Sequence, residues 1–187
     1  MTTLRRPALF LDRDGVINHD HGYVHRSDEF AWISGIFETV RTANALGLGV
    51  IVATNQAGIA RGYYTEQQFH ALTDWMTARF AAAGAPLMDV YYCPHHPEGF
   101  PPYDQVSPFR KPGTGMILQA AAEHALDLGR SVLIGDKESD IAAGKGAGLM
   151  KTALFAPQGP QPTEADIVLA SHAEAGAWLR KVLAEAY

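Results

Sequence analysis

The sequence predicts an α/β fold, a three-layer sandwich whose mainly parallel sheet is covered by helices on both faces. Three observations predict it. Short apolar runs alternate along the chain with segments of helical periodicity. The runs are nearly continuous rather than alternating apolar and polar, as strands buried on both faces require. Three of them end in polar clusters, and open α/β sheets bind ligands at the carboxyl ends of their strands.

The elements follow in order. ALFL at 8–11 is a first strand, stopped by Asp12-Arg13-Asp14-Gly15. Ile36, Val40, Ala43 and Leu46 recur at helical spacing, and Gly47 stops that helix. GVIVA at 49–53 is a strand that ends in Thr54-Asn55-Gln56. Phe69, Leu72, Met76 and Phe80 mark an amphipathic helix ended by Gly84 and Pro86, and DVYYC at 89–93 is the next strand. Pro112-Gly113 opens a helix carrying Ile117, Ala121 and Ala125. SVLI at 131–134 is a strand running into Gly135-Asp136. A helix over 141–149, strands at 152–155 and 166–169 and a closing helix over 173–184 complete the fold. The exception to this regularity is 94–110, with five prolines. Structureless loops beyond roughly 12–15 residues are uncommon in compact domains and are usually functional or disordered.

A length of 187 residues fits one domain over 1–187. With 47% apolar and 19% charged residues, collagen-like, coiled-coil and disordered readings fail. The net charge of −5 argues against sequence-independent nucleic-acid binding, which rests on Lys and Arg neutralising phosphates. Cys93 is the only cysteine, so no intrachain disulfide is expected and a reducing, cytoplasmic location is. The start reads as a strand rather than a signal peptide, and no apolar stretch approaches the roughly 18–20 residues of a membrane helix. Nothing suggests a dimerisation stripe, so a monomer is the default.

The chemistry lies in the polar clusters. Asp12 and Asp14, Thr54 and Asn55, and Asp136 and Asp140 are distant in sequence but follow strands expected to lie side by side. Arg110-Lys111-Pro112 stands before a helix start, where free backbone N–H groups favour anions. Carboxylates, a hydroxyl, a lysine and an arginine suit a magnesium ion with a phosphate: hard oxygens hold the metal, cations and N–H donors hold phosphoryl oxygens. An Asp behind a strand is often only a turn residue or a cap. The other clusters argue against that here.

Asp12-Arg13-Asp14-Gly15-Val16, with Thr54, Lys111 and Gly135-Asp136-x-x-x-Asp140, resembles the four motifs of the haloacid dehalogenase superfamily of phosphatases. The segments FLDRDGVINHDHGYVH, TNQAGIARGYYTEQQF, YYCPHHPEG, FRKPGTGM and GDKESDIAAGKGAG are similar to one branch, the D-glycero-D-manno-heptose 1,7-bisphosphate 7-phosphatases. The resemblance implies a Rossmann-like haloacid dehalogenase fold. It also implies a two-step phosphoryl transfer with magnesium as cofactor, acting on a small-molecule sugar bisphosphate. Asp12 would be the nucleophile, Asp14 the acid and base, and Thr54 and Lys111 the phosphoryl-binding residues. Mg²⁺ would be held by Asp12, the backbone carbonyl of Asp14, and Asp136. Asp140 would be a partner that orients a ligand or Lys137. Asp20, His21, Gly22, Tyr23, Asn55, Gln56, Arg61, Arg110 and Lys137 would face the substrate, with Arg110 clamping a distal phosphate through its planar fork. For Tyr23, Tyr63 and Tyr64, packing and ligand contact stay equally open. The spacing between motifs leaves no room for a large cap domain, so loops should wall the pocket.

One departure from the family stands out. Relatives often hold a structural zinc through Cys-x-His and Cys-x-Cys pairs. This chain keeps Cys93 and His95 but has Ser107 and Phe109 at the second pair. Zinc is therefore not expected, and the prolines and Phe109 would hold the loop instead. Three other readings remain: a histidinol-phosphate phosphatase, a polynucleotide 3′-phosphatase, and a non-catalytic phosphosugar-binding domain. The acidic balance disfavours the second. The paired acids disfavour the third, because binding alone needs no second acid.

Overall fold

A computed structural model describes residues 5–185. Six strands form one sheet: β1 Ala8–Leu11, β2 Gly49–Asn55, β3 Asp89–Cys93, β4 Val132–Gly135, β5 Lys151–Phe155 and β6 Ile167–Leu169. Their order is β3-β2-β1-β4-β5-β6, and every neighbouring pair is parallel. The helices are α1 Ile36–Ala45, α2 Ala57–Ala60, α3 Glu66–Ala82, α4 Gly115–Glu123, α5 Glu138–Gly146 and α6 His172–Glu185.

The two-residue period of the strands divides their side chains between two layers. Leu9, Leu11, Val50, Val52, Val132 and Ile134 pack with Ile36 and Val40 of α1, Met76 and Phe80 of α3, and Leu179 of α6. Ala8, Phe10, Ile51, Ala53 and Leu133 pack with Met116 and Ile117 of α4 and Ile141 of α5. Full burial on both faces explains why the strands read as unbroken apolar runs. Among the described residues, no helix is long and apolar enough to cross a membrane. The segments joining β1 to α1 and β2 to β3 carry no inserted domain.

The differences from the sequence reading sit at element ends. Periodicity cannot detect a single turn such as α2. The helix expected from Pro112-Gly113 starts at Gly115 and stops at Glu123, leaving Ala125 outside it at φ 50°. α5 begins at Glu138 because Asp140 Oδ2 accepts the Lys137 backbone N–H at 3.0 Å, which fixes the first turn from its third residue. β2 continues through Asn55, which pairs with Cys93.

The chain goes outward from β1 through β2 to β3 and then returns to β4 on the other side of β1. This reversal opens a crevice at the carboxyl ends of β1 and β4. Asp12 follows β1 and Asp136 follows β4, so both stand in it.

At the far side of the same loop region, His172 is buried. Its Nε2 lies 2.9 Å from Val16 O and its Nδ1 lies 3.1 Å from Thr39 Oγ1. Burial lowers its pKa from 6.5, and the bond to Val16 only partly opposes this. The unfolded chain therefore takes up a proton that the folded chain refuses. The stability from neutral His172 is complete above pH 6.5 and is lost as pH falls below it. The melting temperature of the wild type should fall more steeply from pH 7 to pH 5 than that of His172→Gln. Equal slopes in thermal melts would show that His172 protonates freely in the folded state.

Candidate active site

A cavity of about 580 Å³ lies over the carboxyl ends of β1 and β2. Of the residues singled out in the sequence, Asp12, Asp14, Asp20, Gly22, Tyr23, Asn55, Gln56, Arg110, Lys111 and Lys137 reach its wall. Four do not. Thr54 is buried behind Gln56, whose Nε2 donates to its Oγ1 at 2.9 Å. Asp136 and His21 line an adjoining cavity. Arg61 lies beside Glu98 at 3.4 Å and His96 at 3.5 Å.

Lys111 organises the floor. It is 4% exposed, and its Nζ donates to Asp12 Oδ1 at 2.8 Å and to Ala53 O at 2.6 Å, and pairs with Asp140 Oδ1 at 2.6 Å. All three ammonium protons are thereby used. Burial works against its charge, but Asp12 and Asp140 outweigh that and raise its pKa. Its backbone is clamped by Asn55, whose Nδ2 donates to Lys111 O and whose Oδ1 accepts Lys111 N–H, both at 3.0 Å. Asn55 thus lines the cavity with one donor and one acceptor site of its amide engaged in placing Lys111. Asp140, set aside as a helper in the sequence, is the second anion that fixes the lysine.

Asp14 sits on the opposite wall. Arg13, itself only 1% exposed, donates to both of its carboxylate oxygens at 2.9 Å. Asn18 Nδ2 donates to Oδ1 at 3.0 Å and Gln56 Nε2 to Oδ2 at 3.1 Å. Sequence reasoning passed over Arg13 and Asn18.

The residues present fit a divalent cation. Carboxylate oxygens of Asp12, Asp136 and Asp140 lie within 4.8 Å of one another. Asp136 Oδ1 is buried without a hydrogen-bond partner. Gly15, at φ 89°, lets Asp136 approach, for a Cβ there would fall 2.2 Å from its Oδ2. Burial, and then the charge of Asp12, pushes the Asp136 pKa up to about 8, while burial also raises that of Asp12 despite the lysine. The cluster is short of positive charge, and hard oxygen donors in this number suit magnesium.

The proline-rich loop is held by hydrogen bonds. Tyr103 and Tyr92 hydroxyls both donate to the Glu66 carboxylate at 2.8 Å, and Phe100 N–H donates to Ala60 O at 2.7 Å. Phe109, expected to pack, is instead 40% exposed. Cys93 is buried, with its Sγ 3.9 Å from His95 Nδ1.

Comparison with known proteins gives consistent matches. The HAD-hydrolase-like family model matches residues 108–172. A D-glycero-alpha-D-manno-heptose-1,7-bisphosphate 7-phosphatase of Burkholderia mallei is 56% identical over 81% of this chain and 81% of its own length. A D-glycero-beta-D-manno-heptose-1,7-bisphosphate 7-phosphatase of Pasteurella multocida is 48% identical over 80% of this chain and 81% of its own. The crystal structure of the D,D-heptose 1,7-bisphosphate phosphatase of B. bronchiseptica, complexed with magnesium and phosphate, superposes with a TM-score of 0.79. That match has 28% identity over 94% of this chain and 98% of that one.

Removing Lys111 leaves two buried carboxylates unpaired, which typically costs about 3–5 kcal/mol. Urea unfolding of Lys111→Met in metal-free buffer should show a loss of that order. A loss under about 1 kcal/mol would mean that the lysine does not hold the floor together.

Proposed function

The chain belongs to the D-glycero-D-manno-heptose 1,7-bisphosphate 7-phosphatases within the haloacid dehalogenase-like hydrolases, and from that membership we propose how its residues remove the 7-phosphate of the heptose bisphosphate. The observation that carries the reading is the buried set of Asp12, Lys111, Asp136 and Asp140 beside Asp14 at one sheet crevice.

Asp12 attacks phosphorus with a carboxylate oxygen, and the bond from phosphorus to the sugar oxygen breaks. Asp14 gives that oxygen its proton. Asp14 then takes a proton from water, which attacks the aspartyl-phosphate and returns Asp12 as carboxylate. Two acids are needed because the nucleophile cannot also be the proton donor. As Asp12 bonds to phosphorus, Lys111 would turn the proton it gives to Asp12 Oδ1 onto a phosphoryl oxygen, where charge spreads, and Thr54 supports that side from behind Gln56. Asp12, Asp136 and the Asp14 backbone carbonyl would hold magnesium, which when bound offsets the carboxylate charge and the repulsion of the incoming phosphate. Asp140 holds Lys111 rather than the substrate.

The open rim selects the sugar. Lys137, half-exposed and 3.4 Å from Asp20, and Arg110 line the same cavity as the floor, two cations for the second phosphate. Asp20, Gly22 and Tyr23 form the wall between them, with His21 and Arg61 further out. Higher identity to the α-named relative supports the α anomer. The full chain, 1–187, acts as one domain, as a cytoplasmic monomer on a small molecule. The net charge of −5 supports the exclusion of nucleic acid.

Asp12→Asn should lower steady-state phosphate release from the bisphosphate by about a thousandfold or more. Activity that survives largely intact would end this mechanism. A panel of both heptose bisphosphate anomers, histidinol phosphate, fructose 1,6-bisphosphate and 3′-phosphorylated DNA should give the highest kcat/KM on the α heptose. A preference for histidinol phosphate would move the chain to the sister activity. Arg110→Lys loses the planar fork and should raise KM for the bisphosphate about tenfold or more while sparing a heptose 7-monophosphate. An equal rise for both substrates would remove Arg110 from the distal phosphate.

A further inference from the structure

The segment after β2 carries a second layer of order that the reaction residues themselves do not explain. Gln56 is 1% exposed, and both ends of its side chain are engaged. Its Nε2 donates to Asp14 Oδ2 at 3.1 Å and to Thr54 Oγ1 at 2.9 Å, and its Oε1 accepts from the Tyr64 hydroxyl. Oδ2 keeps an acceptor lone pair whether or not Asp14 holds the proton it passes on, so the amide nitrogen can face it throughout the cycle. A hydroxyl donating into Oε1 enforces the same orientation from the opposite end. Turning the amide over would set its oxygen against the carboxylate and its NH₂ against the phenol.

The Tyr64 ring packs with Ile59 and Phe69, which leaves its hydroxyl directed at Gln56. Tyr64 is 5% exposed and stacks on His25 with centroids 5.1 Å apart and an interplanar angle of 4°. Its ring crosses under the turn at Gly58, where a Cβ would fall 2.1 Å from the ring. Burial raises its pKa, so the hydroxyl stays protonated and remains a donor. Arg13 and Asn18 hold the other side of Asp14.

We propose that Gln56 is a positioning residue for the acid–base work of Asp14, and that the Tyr64 hydroxyl is what fixes the orientation of Gln56. The arrangement holds the Asp14 carboxylate in one rotamer from before the leaving oxygen arrives. It rests on the reading of Asp14 as proton donor and acceptor, and it gives the paired tyrosines separate roles: Tyr64 acts on the machinery, while Tyr63 is 56% exposed at the rim.

The test uses leaving groups. A sugar alkoxide needs a proton as it departs, whereas p-nitrophenolate leaves without one. Tyr64→Phe keeps the ring and its stacking and removes only the hydroxyl. It should lower kcat/KM, which reports only the transfer to Asp12 and not the later hydrolysis shared by both substrates, about tenfold on the heptose bisphosphate and less than about threefold on p-nitrophenyl phosphate. Gln56→Met, of similar volume, should show the same split, larger in size. Equal losses on the two substrates, or none on either, would overturn the proposal, since a packing defect does not sense the leaving group. Asp14→Asn is the control that separates this from the reading beneath it. If that variant shows the split and Tyr64→Phe and Gln56→Met do not, only the positioning role fails. If Asp14→Asn shows no split, the acid–base assignment of Asp14 fails as well, and the proposal with it.

Discussion

The Lys111 ammonium, sealed between Asp12, Asp140 and the Ala53 carbonyl, is the constraint on which the rest of the molecule depends. Burying one charge without partners costs several kcal/mol, and the lysine escapes that only because each of its protons has an acceptor. Those acceptors come from β1, from β2 and from the first turn of α5, so the three elements cannot shift independently. The balance is also incomplete. Asp12, Asp136 and Asp140 bring three negative charges against buried Lys111 and the half-exposed Lys137, 3.8 Å from Asp136 Oδ2. Burial, and after it the mutual repulsion of these acids, displaces Asp12 and Asp136 upward. A divalent cation relieves that repulsion, so the feature that makes the floor costly to bury also makes it a metal and phosphate site.

The sheet supplies these charges at little entropic cost to the site. Strands buried on both faces leave their carboxyl ends as the one place where polar side chains can gather without disturbing the core. The return from β3 to β4 puts Asp136 beside Asp12 although the two are far apart in sequence. The acids are carried on residues just past the strands, where backbone position is set by sheet register and not by loop conformation. Such placement favours precision, and the proposed attack of a carboxylate on phosphorus tolerates little misplacement.

How much of this was legible follows from which signals a single sequence carries. Continuous burial leaves a plain pattern, so the six strands were readable, and the long amphipathic repeat of Phe69, Leu72, Met76 and Phe80 marked α3. Element ends were less readable, because they are decided by single contacts such as Asp140 on the Lys137 amide. In the site, Asp12, Asp14, Lys111 and Asp136 were visible as polar residues breaking apolar runs. What stayed hidden was what their neighbours do. Asn55 looked like a substrate contact and is a clamp on the Lys111 backbone. Arg13 carried no assigned role and is a buried partner of Asp14. Both roles depend on pairings across the fold or on side-chain direction, and residue type and spacing encode neither.

The stretch between β2 and α3 shows why such hidden roles cluster. Gln56 and Tyr64 reach inward to Asp14, while Ala60 and Glu66, from the same few residues, reach outward to the proline-rich loop. Glu66 accepts two tyrosine hydroxyls, one from β3 and one from the loop itself, so it joins the sheet edge to the segment that carries Arg110. A carboxylate with two neutral donors is a pin that needs no metal, and it stands at the start of a helix whose N-terminal turn favours its negative charge. The floor proposed for the chemistry and the rim proposed to select the sugar are therefore fastened to one short segment. A change that loosened its turn at Gly58 would disturb Asp14 and Arg110 together, although neither residue touches the other.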